Sequence, residues 1–588
     1  MKADSIRSPN TRMTNNIRVF LWLALALVLW LNYSTWQVDY GPKPSAPAAA
    51  GSLSTNPDSG TTAPKLSDSV PQAAKSTTNA APPAANAPTP AAGLPAPEAE
   101  SPDDQTIRVE TDVLVVDISL QGGTLVRAEL PGYPITKGEA APVVLLNRDS
   151  AATNYVIQTG LTGASGGQFP HHQAPFTSAV KSYQLAAGQN ELKVPLTWTD
   201  GNGVTVTKTF IFHRSAFAIG LEYQVANSSG ADWQAAAYSQ ISRVDPPVER
   251  SMFKVESFAT RGPAIWGSEK PGAKNIYKKW KLDEAASHPF TADVRDGWIA
   301  GIQHHFVTAV VPDSSQTYSY TLKASGQEYL LAAAGPLQDF KPGTTTTIRE
   351  ELFVGPKLQK QLVTIHPELD RVADYTWLTL IAKPLFWLLT QAHSIVQNWG
   401  LAIILVTFLL KLAFYPLAQY SGKSMARMRT LTPRIKQMQE SYKDDREKLG
   451  RAMMDLYRTE KVNPLSGCLP MLIQMPVFLA FYWVLLESVE MRQAPFFGWI
   501  NDLSARDPFF ILPLLNGLAM WGQYKLNPPP PDPMQAKIFQ FMPVVFSVMF
   551  ALFPAGLVLY WVTNTGLSIL QQWNINRHIA EEARRRKA

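Results

Sequence analysis

Few side chains in this 588-residue chain stand in patterns that make or break bonds. Gly163-Ala164-Ser165-Gly166-Gly167 matches G-x-S-x-G in form, but no helical periodicity follows to build the elbow that exposes such a serine. His171-His172 and His304-His305 are adjacent pairs, and neighbours on a strand face opposite sides of a sheet, so neither pair is expected to grip a metal. There is one cysteine, Cys468, and no P-loop or HExxH. The expectation is a protein that is not an enzyme and carries no cofactor or metal.

The chemistry that does stand out is electrostatic. The stretch 405–419 reads LVTFLLKLAFYPLAQ and sets Lys411 inside an apolar run from Trp399 to Leu417. A charge centred in a membrane helix costs roughly 2.5–3.5 kcal/mol on insertion scales, so it needs a reason. One reason is snorkelling, with the ammonium stretching ~9 Å to the interface near Leu417. The other is a wet cavity among several spans. Thr407, Gln474, Thr563 and Asn564 supply polar company for Lys411, each weak alone because membrane helices tolerate isolated polar groups. Together they form a candidate hydrophilic groove.

The second candidate is the segment 418–468, which holds eleven Lys and Arg residues. Met425, Met428, Leu431, Ile435 and Met438 recur every three or four residues, as do Leu449, Met453 and Leu456, on either side of Lys443-Asp444-Asp445. The pattern predicts a basic, Met-rich amphipathic helical hairpin. It suits a helix pair on the bilayer surface, or an adaptable docking surface built from Met425, Arg427, Met428, Arg429, Arg434 and Met453. Anionic lipid headgroups or ribosomal RNA would answer its charge.

The elements that must position these residues are uneven along the chain. Lys2, Arg7, Arg12 and Arg18 against Asp4 precede an apolar stretch at 19–36, read as a membrane anchor with a cytoplasmic N-terminus. Residues 41–104 are nearly all Ala, Pro, Ser, Thr, Gly and Asn, the composition of a disordered tether. From 105 to 354, period-two alternation with turns at Gly122-Gly123 and Asp200–Gly203 predicts an all-β sandwich domain. Residues 374–398 are too polar to span and read as an interfacial helix. Apolar spans are then expected at 399–417, 469–486, 509–524, 539–552 and 557–573, with a basic tail at 574–588. A single helix over 538–573 would run ~54 Å, far beyond a ~30 Å hydrocarbon core, so the chain should break at Phe553-Pro-Ala-Gly556. With basic residues at both ends and in 418–468, an even count closes the topology at six spans, the β domain outside.

EKVNPLSGCLPMLIQMPVFLAFYWVL (460–485), TFLLKLAFYPL (407–417), FPAGLVLYWVTNTGLSILQQW (553–573) and GWIAGIQHHFVTAVVP (297–312) resemble the YidC-type membrane protein insertases of Gram-negative bacteria. The resemblance covers essentially the whole chain beyond the tether. It implies a five-helix core plus an N-terminal anchor in the inner membrane. It also implies a hydrophilic groove open to the cytoplasm and lipid, and a periplasmic β-supersandwich similar to sugar-binding domains. Implied partners are nascent membrane proteins, the lipid bilayer, the Sec translocon and, through the hairpin and tail, the ribosome or signal-recognition pathway. Lys411 takes the place where many relatives have arginine, which keeps the charge without the planar fork. Ala452 stands where a glutamate is often seen, so no hairpin salt bridge is expected there. A solute transporter with a charged intramembrane site and an anchored sugar-binding sensor are the competing readings.

Overall fold

The computed structural model describes residues 66–73, 106–163, 167–246, 259–268, 275–442, 445–460, 469–526 and 533–585. The anchor expected at 19–36 and all of 41–104 except 66–73 lie outside them, as do Cys468 and the centre of the 163–167 loop. Residues 66–73 correct the tether reading. Leu66–Asp68 forms a turn of 3₁₀ helix, and the segment lies on the β-rich domain beside strands Thr317–Ser325 and Glu328–Ala334. Composition predicted no structure there because the segment has no core of its own; the domain supplies its partners.

Eighteen strands occur among the described residues, from Thr106–Glu110 to Thr344–Pro356. Glu191–Thr199 and Val204–His213 alternate between buried and more exposed positions and pair as the expected antiparallel hairpin. Its turn holds because Asp200 Oδ1 accepts from Asn202 N at 2.7 Å and Val204 N at 2.9 Å. Gly201 and Gly203 take the left-handed φ values of 74° and 105° that the turn needs. Long strands that change partner along their length join the layers into a sandwich-like whole. Trp233–Val244 runs between Tyr155–Thr162 and Glu328–Ala334, and Thr344–Pro356 passes from Ala218–Asn227 to Phe306–Val311. Tyr155–Thr162 and Phe306–Val311 are buried at every position, as strands covered on both faces must be. His304 and His305 lie in the turn before Phe306, with rings stacked at 3.7 Å. The strand argument that set them on opposite faces therefore does not apply to them. Among the described residues no group of three His, Cys, Asp or Glu is placed to hold a metal.

The C-terminal part is helical: α1 Thr379–Val396, α2 Trp399–Ala413, α3 Tyr415–Ser441, α4 Arg446–Thr459, α5 Leu469–Glu487, α6 Ile511–Leu526, α7 Pro533–Phe550 and α8 Ala555–Arg585. Helix α1 buries Ala382, Leu385, Phe386, Leu389 and Ala392 against α2 and α5, and exposes Leu380, Trp387 and Ile395 on its other side. Asn398 caps α2, its Oδ1 accepting from Leu401 N at 3.0 Å.

The continuous span expected at 399–417 is not formed. Helix α2 stops at Ala413 and α3 leaves it at 57°, with Pro416 in the first turn of α3. Proline has no N–H for the carbonyl four residues back and its ring crowds that carbonyl, so the helix breaks here. Lys411 thus stands in the last turn of α2, beside a bend. Among the described residues no single helix is long and apolar enough to cross a membrane, whereas α2 with the start of α3 qualifies as a bent pair. Between α7 and α8 the helix is interrupted at 551–554, where the sequence FPAG begins. Helix α8 continues through the basic tail to Arg585.

The β-rich domain and the helices meet through polar contacts. Lys357 and Glu487 form an ion pair at 2.6 Å with neither side chain exposed, and Glu487 also accepts from Thr260 N at 2.9 Å. Arg492 donates to Pro134 O at 2.6 Å, and Lys137 to Gln493 O at 2.8 Å.

Candidate functional site: a polar cavity among the helices

Helices α2, α3, α5, α6 and α8 enclose a cavity of about 410 Å³. Of the residues singled out in the sequence, Thr407, Lys411, Gln474 and Asn564 line it, and Thr563 does not. The reason is helical phase. Asn564, Ser568 and Gln572 recur at four-residue intervals along α8 and share the inward face with Gln571, while Thr563 is rotated about 100° away from Asn564. Of the missed residues Thr565, Ser568, Gln571 and Gln572, Ser568 and Gln572 were detectable as that i, i+4, i+8 polar stripe. Gly422 of α3 brings the backbones together on this side: a Cβ there would lie 2.8 Å from the Ile575 side chain of α8.

The polar groups are ordered by one another. Lys411 Nζ donates to Ser568 Oγ at 2.7 Å, and Ser568 Oγ donates to Asn564 O at 2.7 Å. Gln474 Nε2 donates to Asn564 Oδ1 at 2.6 Å, tying α5 to α8. Thr565 Oγ1 donates to Asn516 Oδ1 at 3.3 Å, tying α8 to α6. Thr407, almost wholly buried, donates back to Ile403 O at 2.6 Å, so its hydroxyl is committed within α2. Lys411 has three N–H donors, and Ser568 is the acceptor for one. The other two find no acceptor, and the ammonium no carboxylate, among the described residues. Trp561 Nε1 and Gln571 Nε2 are likewise buried donors without a partner among them.

Away from the cavity, α2, α6 and the neighbouring α7 carry exposed apolar residues at four-residue spacing: Phe408 and Leu412 of α2, Leu514 and Leu518 of α6, and Val544 and Val548 of α7. A soluble bundle would bury such stripes; lipid is the environment that covers them at no cost.

In the hairpin, Met428 and Met453 pack with Leu456 and Tyr457 around buried Leu431 and Ile435, so these thioethers join α3 to α4. Arg434 pairs with Glu460 at 2.7 Å across the hairpin. The side chains of Met425 and Arg429 lie outside the described residues. Arg427 is exposed.

Fold and site together define a helical unit with exposed apolar stripes and a cavity that sets a lysine among polar side chains, with a β-rich domain attached. Residues 106–388 match the YidC periplasmic domain, and residues 391–582 match the family described as 60Kd inner membrane protein. A membrane protein insertase YidC of Nitrosococcus oceani is 43% identical over 96% of this chain and 99% of its own. That of Thioalkalivibrio sulfidiphilus is 44% identical over 97% and 100%, and that of Pseudomonas aeruginosa 42% over 96% and 99%. The chain belongs to the YidC family of membrane protein insertases.

Proposed function

We propose that this insertase works through the Lys411 cavity, which receives a polar, often acidic, flank of a nascent membrane protein while the apolar span leaves sideways into lipid. The observation that carries the reading is a lysine with two donors uncommitted among the described residues, in a cavity shared with polar side chains and lined in part by helices with exposed apolar stripes. Water serving Lys411, Trp561 and Gln571 shortens the hydrocarbon barrier a polar flank must cross. A hydrated cavity screens charge, so the pull of Lys411 on a carboxylate is modest, about 1 kcal/mol at 4 Å in water and up to about 4 at the effective dielectric of a protein surface. The driving free energy is the burial of ~20 apolar residues in lipid, helped by a membrane potential worth ~2.3 kcal/mol per charge per 100 mV. In this reading the chain spans the inner membrane six times, with both termini and the α3–α4 hairpin cytoplasmic. Nascent chains arrive from the ribosome or signal-recognition pathway through the hairpin and tail, or from the Sec translocon. The full-length relatives are named insertases, and nothing among them favours the solute-transporter reading.

The test is reconstitution of the purified chain in liposomes with a short single-span protein carrying an acidic tail. Wild type should protect the tail from external protease, Lys411→Ala should not, and Lys411→Arg should restore protection. Equal protection by Lys411→Ala would reduce Lys411 to a snorkelling residue.

A further inference from the structure

Helix α8 meets the bend between α2 and α3 along one ridge. Ser568 Oγ accepts from Lys411 Nζ at 2.7 Å, and Asn574 Nδ2 donates to Tyr415 Oη at 3.1 Å. Lys411 stands in the last turn of α2 and Tyr415 opens α3, so the two contacts lie on either side of the bend. Gln571 comes midway between them, three residues after Ser568 and three before Asn574 on the same helix. Residues three apart on a helix form one ridge, which directs Gln571 toward the stretch 411–415 as well. The outer two members of the ridge have partners across the gap. The middle one does not: Gln571 Nε2 is buried and has no hydrogen-bond partner among the described residues.

Two other glutamines of the cavity wall are committed. Gln474 Nε2 donates to Asn564 Oδ1 at 2.6 Å, and Gln572 Nε2 to Asn576 Oδ1 at 3.1 Å. Gln571 also lines the cavity, and the last torsion of a glutamine is broad, so its N–H turns inward at little cost. Lys411 is fixed beside it. The Ser568 hydroxyl spends its proton on Asn564 O at 2.7 Å, which leaves only lone pairs to face the ammonium. The ammonium therefore rests against α8 one turn from Gln571. Side chains at that interval are about 5–6 Å apart at Cβ, a spacing that suits the two oxygens of one carboxylate. A lysine alone is a point charge that attracts a carboxylate without orienting it, whereas a planar fork of N–H donors does both. A cation and an amide side by side assemble such a fork from two residues.

We propose that Gln571 is a specificity-determining residue for insertion: beside Lys411 it supplies the second N–H for an Asp or Glu side chain in the polar flank of the nascent chain. The assignment rests on the Lys411 reading above and says which flanks that cavity prefers. One carboxylate oxygen accepts from Lys411 Nζ and the other from Gln571 Nε2. An Asn or Gln in the same seat has one acceptor oxygen, and its own N–H groups meet a donor, so it is held less well.

The test uses the full chain in liposomes and two single-span substrates that differ only in the tail, Asp and Glu in one and Asn and Gln in the other. The readout is the ratio of their initial rates of protease protection, acidic over amide. Gln571→Met keeps the length of the side chain without the donor and should lower that ratio about fivefold, the size of one net hydrogen bond. Gln571→Glu puts an acceptor of the same shape there and should lower it further. Lys411→Arg brings a second donor of its own, so adding Gln571→Met to it should change the ratio by less than about twofold. A ratio that neither Gln571 variant lowers, or a fall of the same size in the Lys411→Arg background, would overturn the assignment. Lys411→Ala separates the two readings. If it abolishes the preference and Gln571→Met keeps it, only the role of Gln571 falls; if Lys411→Ala keeps it too, the Lys411 reading falls as well.

Discussion

Two lysines in this protein are withdrawn from bulk water and used in opposite ways. Lys208, fully buried in the β-rich domain, donates to Gly122 O, Gly123 O and Thr159 O at 2.8, 2.9 and 3.0 Å. The rings of Phe176, Phe210 and Tyr223 surround its ammonium at 5.2–5.8 Å. Burial pushes its pKa well down, with Glu350 pulling the other way. Every donor is used, and the residue is a fastener between strands. Among the described residues Lys411 has one donor in use, on Ser568, and it faces a cavity. A saturated buried cation holds a fold together; an unsaturated one in a polar cavity is available to something that comes and goes.

The comparison can be broken most directly on stability. Lys208→Met strips three carbonyls of a buried donor, each worth about 1–3 kcal/mol when left unsatisfied, and should cost the β-rich domain several kcal/mol in a denaturant melt followed by tryptophan fluorescence. Lys411→Met should change that melt by less than about 0.5 kcal/mol. Similar losses in both would mean that Lys411 is also a fastener.

Insertion should reverse the order. Lys411→Glu should slow insertion of a substrate with an acidic tail about tenfold, equivalent to ~1.4 kcal/mol, and an uncharged one much less. Equal slowing of both would remove the electrostatic part of the reading. Gln474→Ala leaves the charge and frees Asn564, and should cost only a few-fold in the same assay.

The smallest effect sharpens the Lys208 side. Ser239 Oγ donates to buried Glu350 Oε2 at 2.5 Å, and burial raises the Glu350 pKa from 4.5 to about 7, against the pull of Ser239 and Lys208. A carboxyl with a raised folded pKa binds an extra proton when folded, so its contribution is full below about pH 4.5 and is lost as pH rises to 7. Buried His172 and His305, both lowered by desolvation, slope the other way. The measurement is therefore the stability of wild type minus that of Glu350→Gln, which should fall between pH 4.5 and 7.

Much of this was legible along the chain. Alternation marked the 191–213 hairpin, and one lysine in an apolar run marked the cavity before any fold was known. The sequence placed Thr563 in the groove, and the structure turns it away from the cavity, because adjacent residues on a helix differ by 100° and the inward direction is set by the neighbours of α8. The docking reading of Met428 and Met453 met the same limit: their periodicity shows an apolar face, and the structure turns that face inward between α3 and α4.

By itself the sequence determined the order of the parts: a basic and apolar N-terminus, an Ala/Pro-rich stretch, a β-rich domain, then helices with a charge among them. These follow from composition and period, which are local. Only the tertiary structure decided the Ser568 and Asn564 network around Lys411 and the docking of residues 66–73 onto Gln158, Gln173 and Gln240. Each of these depends on which groups, distant in sequence, lie within about 3 Å of one another, because a hydrogen bond exists only at that range.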